Sequence, residues 1–568
     1  MLDHLTPNLY NFFMDSFINY AQFEDFWQRL EPLTPYGKDL KQKRTVYSEE
    51  AELVKLWESS DRAAQLLQPP AANLSRIRYF LKRLPRFRSE SLPCYDEADI
   101  FEYKKFLSNY RRLLELLPAE QRSFFALDYS SHDLEQLLSC GDQYADTFYV
   151  ADAYSEQLAQ IRAQIRAIDK RLADARRSQL EQIALQWGWD ITGEYLLVSQ
   201  SSVLEAQKHQ PQLLEKLVVI EPFDGERYAV RPHQSGSFLA LQEQRQNLAH
   251  SERREEQNVL ENISEAIRAE LPKLCRSRTN IGAFDMALAR ARLAQQYDLQ
   301  RPQLNARLSE PIVIEKGRFI PCQEQCERLN TVYIPLDWQL SQPNAVLFGS
   351  NMGGKTIALK TLAFLQLCVQ TGLYVPAQTL RTCLFRNFRY IGEGRLDTPQ
   401  QGLSGFGYEV SQFCEAYSHL AEPTLLLFDE FARTTNSREA EAFISAILAD
   451  IAARPTVRAV FSSHFHGIAR LPQVGFFKMR GVNRAALDSA PDSSSGQFPS
   501  GYKCSESLQQ RLQQISSLID YRIQPDPETL DSSDALTIAA LLGVPPSITE
   551  QARQQLIASS QKSGYFGP

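Results

Sequence analysis

Apolar positions along the chain follow three successive rhythms. Tyr154, Leu158, Ile161, Ile165, Ile168 and Leu172 alternate spacings of four and three. That is a heptad seam on a long helix whose other faces carry Arg, Gln and Glu. The seam stops at Trp187-Gly188-Trp189-Asp190, and a second one follows with Leu260, Ile263, Ile267, Leu271 and Leu274 on one face. Between the seams, from about residue 190 to 240, short runs such as Glu194-Tyr195-Leu196-Leu197-Val198 and Arg227-Tyr228-Ala229-Val230 read as strands separated by polar turns. Two long helices flanking a small β insertion predict an antiparallel arm with a compact tip. Periodicity alone leaves the core of an ordinary helical bundle equally open for each seam.

The third rhythm begins past Pro302 and Pro311, where strand-like and helix-like runs alternate to about residue 485. The stretch from Ala490 to Gly501, rich in Ser, Pro and Gly, predicts a loop, and a helical tail closes the chain. Before about residue 190 the pattern is helical, with few glycines. The expected organisation is therefore a multidomain α plus α/β protein. Residues 1–190 form a helical core and first lever half, 191–245 a β insertion, 246–310 the returning helices, 311–490 an α/β domain, and 491–568 a loop with a C-terminal helical segment.

Composition changes this picture little. The chain has 568 residues, 43% of them hydrophobic and 23% charged, and a net charge of −7. No global field draws it to nucleic acid or to an anionic membrane. The basic run Arg76, Arg78, Lys82, Arg83, Arg86 and Arg88 reads as a solvated helix face. Nine cysteines are scattered without zinc-type pairing, Cys322 and Cys326 being the nearest pair, so reduced thiols in a cytosolic protein are expected. Met1-Leu2-Asp3-His4 lacks the basic and apolar regions of a signal peptide. The most apolar long segment, Ala358 to Ala377, contains Lys360 and is expected to be a buried helix, not a membrane span. These features predict a soluble, cytoplasmic chain.

Candidate chemistry begins at Gly349-Ser350-Asn351-Met352-Gly353-Gly354-Lys355-Thr356, which satisfies G-x-x-x-x-G-K-[ST] between an apolar strand-like run, Asn344-Ala345-Val346-Leu347-Phe348, and a helix-like run from Ile357. Glycines let backbone N–H groups close on phosphate oxygens, and a helix N-terminus adds positive potential. Lys355 is placed for the β- and γ-phosphates and the Thr356 hydroxyl for Mg²⁺, which predicts binding of ATP or GTP. Thr424-Leu425-Leu426-Leu427-Phe428-Asp429-Glu430 reads as an apolar strand ending in two carboxylates. Asp429 is the candidate for the Mg²⁺ shell, and Glu430 for the base that orients or deprotonates the attacking water. A further apolar run, Arg458 to Ser463, leads into His464-Phe465-His466, where a histidine could sense the γ-phosphate by hydrogen bonding; the spacing also allows a pair that caps a loop or ligates a metal, for which no third ligand is evident. Ser404 opens a helix after a Gly-rich stretch, as an N-cap or as a hydroxyl offered to a partner's site.

Taken together, these segments resemble the MutS family of ATPases. Asn351-Met352-Gly353-Gly354-Lys355 is similar to that family's distinctive P-loop, and Tyr374-Val375-Pro376-Ala377 to the segment that follows it. Asp429-Glu430-Phe431-Ala432-Arg433-Thr434-Thr435-Asn436-Ser437 resembles its Walker B and adjoining loop. Ser404, Phe406 and Glu409 match its signature read in trans across a dimer, and His464 and His466 its His-x-His element. The seams and the tip with Glu226-Arg227-Tyr228 resemble its lever and clamp, and Asp534 to Pro545 its C-terminal dimer-contact helix.

The resemblance implies a P-loop, ABC-type ATPase domain, ATP and Mg²⁺ as cofactors, and a homodimer or MutS-like heterodimer sandwiching nucleotide. In that arrangement Lys355, Thr356, Asp429 and Glu430 act in cis and Ser404 in trans. The chain departs from the family pattern at Ile357, at Ala432 and Thr434 where glycines are usual, and at Gly405 and Gly407. It is also expected to lack the mismatch-reading domain. Phe-x-Glu, the element of that reader, occurs only at Phe413 to Glu415 and Phe428 to Glu430, and no room for a C-terminal nuclease domain is expected. Two targets follow. One is a DNA structure held through the clamp; the other is a protein client, as for the MutS-like ATPase that reactivates a cobalamin-dependent lysine aminomutase.

Overall fold

The protein is described from a computed structural model, which covers residues 14–69, 73–141, 147–349, 353–392, 405–483, 518–526, 534–541 and 544–563. Two compact units divide the chain: Thr34–Tyr36 with Ser75–Ile281, and Met1–Leu33 with Gly37–Leu74 and Gly282–Pro568. Polarity groups residues 1–190 as one helical region, whereas this division assigns residues up to 33 and 37–74 to the unit that holds the P-loop.

In the Ser75–Ile281 unit the first seam lies on the helix Glu156–Trp187, with Leu158, Ile161, Ile165, Ile168 and Ile183 buried. Ser155 caps its start by accepting from the Leu158 amide at 3.2 Å. Gly188 ends it at φ 68, a left-handed conformation that costs glycine little. Tyr154 sits in the short turn Asp152–Tyr154 ahead of this helix. The second seam lies on Gly236–Tyr297, a helix of 62 residues, with Ile263, Ile267, Leu271 and Leu274 buried.

Polar bonds fix the direction of the pair. Ser155 donates to Glu255 at 2.6 Å, Arg162 to Glu252 at 2.8 Å and Glu256 at 2.6 Å, and Arg245 to Asp169 at 3.1 Å. Rising numbers on one helix meet falling numbers on the other, so the two run antiparallel. The expected boundary at residue 246 falls inside the returning helix. Residues 236–250 carry no apolar seam, and their Leu, Ala, Gln, Glu and Arg content supports helix by propensity alone.

The tip is a three-stranded antiparallel sheet, order β1-β3-β2, of β1 (Leu196–Ser199), β2 (Val218–Pro222) and β3 (Arg227–Pro232). It also contains two helices, Gln200–His209 and Pro211–Leu217, so the segment expected to be β is mixed. Trp189, Ile191, Val198, Val203, Leu214 and Val230 form its core together with Ile183. Gln179 donates to the carbonyls of Leu217 and His233 at 2.8 and 2.7 Å, stitching the long helix to the tip.

The other unit contains two sheets. One, of order β4-β8-β5-β6, comprises β4 (Gln303–Leu304), β5 (Ile312–Gly317), β6 (Leu336–Leu340) and β8 (Thr379–Thr382). The other has six strands in the order β13-β12-β7-β11-β10-β9. These are β7 (Asn344–Phe348), β9 (Asn387–Gly392), β10 (Thr424–Asp429), β11 (Val457–Ser463), β12 (Val474–Val482) and β13 (Ile519–Pro525). All but β13 run parallel.

Parallel strands covered on both faces bury successive residues on alternate sides. Ala345, Leu347, Leu425, Leu427 and Val460 belong to one core. Val346, Phe348, Leu426, Phe428, Ala459 and Phe461 belong to the other. Helix Lys355–Gln370 packs into the first core and helix Ser437–Ala452 into the second.

The first core also takes Phe17, Phe23, Phe26 and Trp27 from the start of the described chain. Phe364 meets the rings of Phe23, Phe26 and Phe319 at centroid distances of 5.8, 5.1 and 5.6 Å. Buried glutamines of helix Lys355–Gln370 find backbone partners: Gln366 donates to Cys383 at 2.9 Å, and Gln370 to Phe385 at 2.7 Å and Tyr47 at 2.8 Å. Such saturated polar contacts fix the helix lengthwise, which apolar packing alone does less well. No described helix is long and apolar enough to cross a membrane.

Candidate nucleotide-binding site

In parallel sheets, ligands sit beyond the carboxyl ends of the strands, and here the register brings candidate residues to that edge. Asp429 pairs with Ser462 across β10 and β11, and Ser463 with Phe348 across β11 and β7. Gly349 follows β7 directly, and Gly354 takes φ 89 as it leads into the helix Lys355–Gln370. That φ excludes a bulkier residue at little cost to glycine. Ser350, Asn351, Met352 and Ser404 lie outside the described residues. Gly353 is buried and Gly354 half-buried at the helix entry.

The Lys355 ammonium is buried. It donates to the Gly349 carbonyl at 2.7 Å and pairs with Glu430 Oε1 at 3.3 Å. Burial lowers its pKa from the ordinary lysine value, with the Glu430 charge opposing. Thr356 Oγ1 donates to Asp429 Oδ1 at 3.1 Å, and Ser462 Oγ donates to the same oxygen at 2.7 Å. The Tyr20 hydroxyl donates to Asp429 Oδ2 at 3.3 Å. Burial nevertheless raises the Asp429 pKa above the ordinary carboxylate value, against the pull of these hydroxyls. The hydrogen-bonding neighbours of this carboxylate are hard oxygen donors. That donor set suits Mg²⁺, which prefers carboxylate, hydroxyl, phosphate and water oxygens. Asp429, Thr356 and Ser462 are the residues at hand for such an ion, Ser462 as a support for the carboxylate.

Glu430 turns away from the strand at φ 52. Its amide donates to Ser462 Oγ at 3.0 Å, and its carboxylate lies 3.3 Å from both Lys355 and Arg433. His464 follows β11, and its Nδ1 is buried without a hydrogen-bond partner among the described residues. Burial lowers its pKa below the ordinary imidazole value; the Glu430 charge opposes this shift and the Lys355 charge adds to it. His466 stacks on Phe348 at 5.7 Å, a packing role at the root of the P-loop.

Two residues of the signature segment have clear structural roles. Phe406 packs against the second core. Glu409, buried on helix Gly405–Tyr417, accepts the Ala432 amide at 2.8 Å. Ala432 takes φ 63, a conformation that costs a residue with a Cβ about 1 kcal/mol or more. The Glu409 bond holds the loop in place despite that cost, at a position where the family resemblance leads one to expect glycine.

A cavity of about 350 Å³ adjoins these groups. Lys355, Thr356 and Glu430 line one part, and Tyr333, Met479 and Tyr521 another. Its size and its mixture of charged and apolar walls suit a small organic ligand. The aromatic wall, Tyr333 and Tyr521, went unnoticed in the sequence because neither residue lies within a motif, and β13 reaches the site from the far side of the 484–517 segment. Tyr20 was missed for the same reason, being 409 positions from Asp429. Among the described residues no group of three or more His, Cys, Asp or Glu could hold a metal ion.

Residues 345–559 match the family model of MutS domain V. The chain is 27% identical over 220 residues to the DNA mismatch repair protein MutS of Lactobacillus delbrueckii subsp. bulgaricus, covering 38% of this chain and 25% of that protein. It is 26% identical over 370 residues to Endonuclease MutS2 of Streptococcus pneumoniae serotype 19F, covering 64% of this chain and 44% of that protein. With Endonuclease MutS2 of Lactiplantibacillus plantarum it shares 24% over 426 residues, 73% of this chain and 47% of the relative. The chain thus spans between a quarter and about half the length of these relatives.

The strained loop yields a prediction. Ala432→Gly, which keeps the amide that Glu409 holds, relieves the left-handed φ and raises unfolding stability by about 1 kcal/mol, less the added chain entropy of glycine. Chemical denaturation of the two proteins measures it.

Proposed function

The chain belongs to the MutS family, and from that premise we propose that it is a Mg²⁺-dependent ATPase that converts nucleotide binding and hydrolysis into movement of its helical arm. The observation that carries this reading is the convergence of Lys355, Thr356, Asp429 and Glu430 at one sheet edge, beside a cavity of nucleotide size. Lys355 would leave the Gly349 carbonyl and Glu430 for the β- and γ-phosphates. That exchange takes Glu430 Oε1 from Lys355 while Oε2 keeps Arg433, so Oε1 becomes available to orient the attacking water as triphosphate arrives. Thr356 and Asp429 would hold Mg²⁺, which when bound neutralises charge developing on the phosphate oxygens. His464 Nδ1, buried without a hydrogen-bond partner among the described residues, would sense the γ-phosphate through a hydrogen bond. In this reading Ser404 completes the site of a second protomer, identical or MutS-like, and two chains sandwich the nucleotide.

The proposed target is a DNA structure gripped through the tip of the arm. Its support is the relatives' names, DNA mismatch repair protein and endonuclease, together with an antiparallel arm ending in a compact tip. Reactivation of a cobalamin-dependent aminomutase, the other target weighed from the sequence, has no observation of its own here and stands as the competing outcome of the test. That test compares stimulation of ATP turnover by branched or duplex DNA with stimulation by a candidate client enzyme. The expected result is stimulation by DNA that fades steeply with salt, because phosphate contacts release counterions. Stimulation by the client alone would overturn the DNA reading.

Two substitutions examine the chemistry. Lys355→Ala is expected to abolish detectable binding in a titration with a fluorescent ATP analogue, because it removes the buried cation facing the phosphates. Glu430→Gln is expected to bind nucleotide but to lower turnover by about 100-fold or more, the scale on which a general base contributes. It should accumulate as a nucleotide-bound dimer on size exclusion, whereas unchanged turnover would remove Glu430 from the role of base.

A further inference from the structure

The Asp429 carboxylate is held on both oxygens, and the two sides differ in origin. Oδ1 accepts from Thr356 and Ser462, hydroxyls that belong to the P-loop helix and to the neighbouring strand. Oδ2 accepts from Tyr20 at 3.3 Å, a residue from the helical stretch 14–20 at the start of the described chain. The Cβ–Cγ torsion of an aspartate is broad and soft, so donors on one oxygen alone leave the carboxylate able to rock. A donor on the second oxygen removes that freedom.

Tyr20 is well placed for the task because its own position is overdetermined. Its ring stacks on Tyr390 at 3.9 Å with 19° between planes. The Lys360 ammonium lies 5.5 Å from the ring centroid on the face of the ring, an attraction favoured by the ring quadrupole. Tyr390 lies on β9, level with Leu427 of β10, and Lys360 lies one helical turn after Thr356. Phe17, one turn earlier in the same stretch, packs on Phe388 at 5.1 Å. The hydroxyl is therefore carried by a ring clamped between the two elements that also supply Asp429's neighbours and Thr356.

We propose that Tyr20 is a positioning residue for the metal-holding carboxylate, fixing the rotation of Asp429 so that its Oδ1 edge faces the Thr356 hydroxyl before Mg²⁺ binds. The proposal rests on the ATP-site reading given above. It makes the N-terminal stretch, remote in sequence from every motif, a working part of the nucleotide site. Tyr20 touches no substrate in this scheme and acts through Asp429.

The test uses the full chain and a fluorescent ATP analogue titrated at a series of Mg²⁺ concentrations and in EDTA. Tyr20→Phe keeps the ring, its stacking and its burial, and removes the hydroxyl. The expected result is a rise of about tenfold in the Mg²⁺ concentration that half-saturates the metal-dependent part of binding, the scale of one hydrogen bond to a charged acceptor at the weak end of its range. Binding in EDTA is expected to match the wild type. In an Asp429→Asn background the same substitution is expected to change nothing further, because the coupling runs through the carboxylate. A Mg²⁺ dependence in Tyr20→Phe equal to the wild type would overturn the proposal and leave the ATP site intact. So would an equal shift in both backgrounds, which would mark a packing effect. A wild-type chain whose nucleotide binding ignores Mg²⁺ would overturn both this proposal and the reading beneath it.

Discussion

A carboxylate buried at the end of a parallel strand is expensive unless donors surround it. Asp429 meets that requirement with three hydroxyls drawn from three separate parts of the chain: Thr356 after the phosphate loop, Ser462 on the adjacent strand and Tyr20 near the beginning. Much of the nucleotide-binding unit follows from holding these groups together. The β10–β11 register must place Asp429 level with Ser462. The helix Lys355–Gln370 must sit at one height along the sheet, which the buried amides of Gln366 and Gln370 ensure by bonding to backbone carbonyls on other segments. The first described residues must close over the sheet face, where Phe17, Phe23 and Phe26 join the core of Phe364 and Phe388.

The same edge carries a second tension. Glu430 and Ala432 both take left-handed backbone conformations immediately after the strand, and the Glu409 carboxylate accepts the Ala432 amide. Strain of this kind persists only where the surroundings overdetermine it. Its effect here is to direct Glu430 away from the strand axis, toward Lys355 and Arg433. The acid and the lysine satisfy one another, and the site thereby avoids burying an unpaired lysine cation.

The arm unit is built on different physics. Its two long helices are laced by exposed or half-exposed ion pairs around Arg162. Pairs of that kind add little individually, but they set direction and register. Its tip has a small core of its own, anchored by Trp189, Val198 and Val230, and Gln179 bonds it to the long helix.

Sequence by itself determined what is local and periodic. The apolar runs of β7, β10 and β11 could be placed to within a residue because strands buried on both faces leave no polar positions to confuse the reading. The two seams marked the long helices, and the P-loop marked the turn between strand and helix. The helices of the tip escaped notice, since short elements give too few periods to separate helix from strand. The start of the returning helix at Gly236 escaped as well, because propensity rather than burial extends it. Only tertiary structure could bring Tyr20 to Asp429, Tyr521 to the cavity and Tyr47 to Gln370. Pattern along a chain records which face of an element is buried, whereas the partner across a sheet or beneath a helix is chosen by shape and hydrogen-bond geometry between segments hundreds of residues apart.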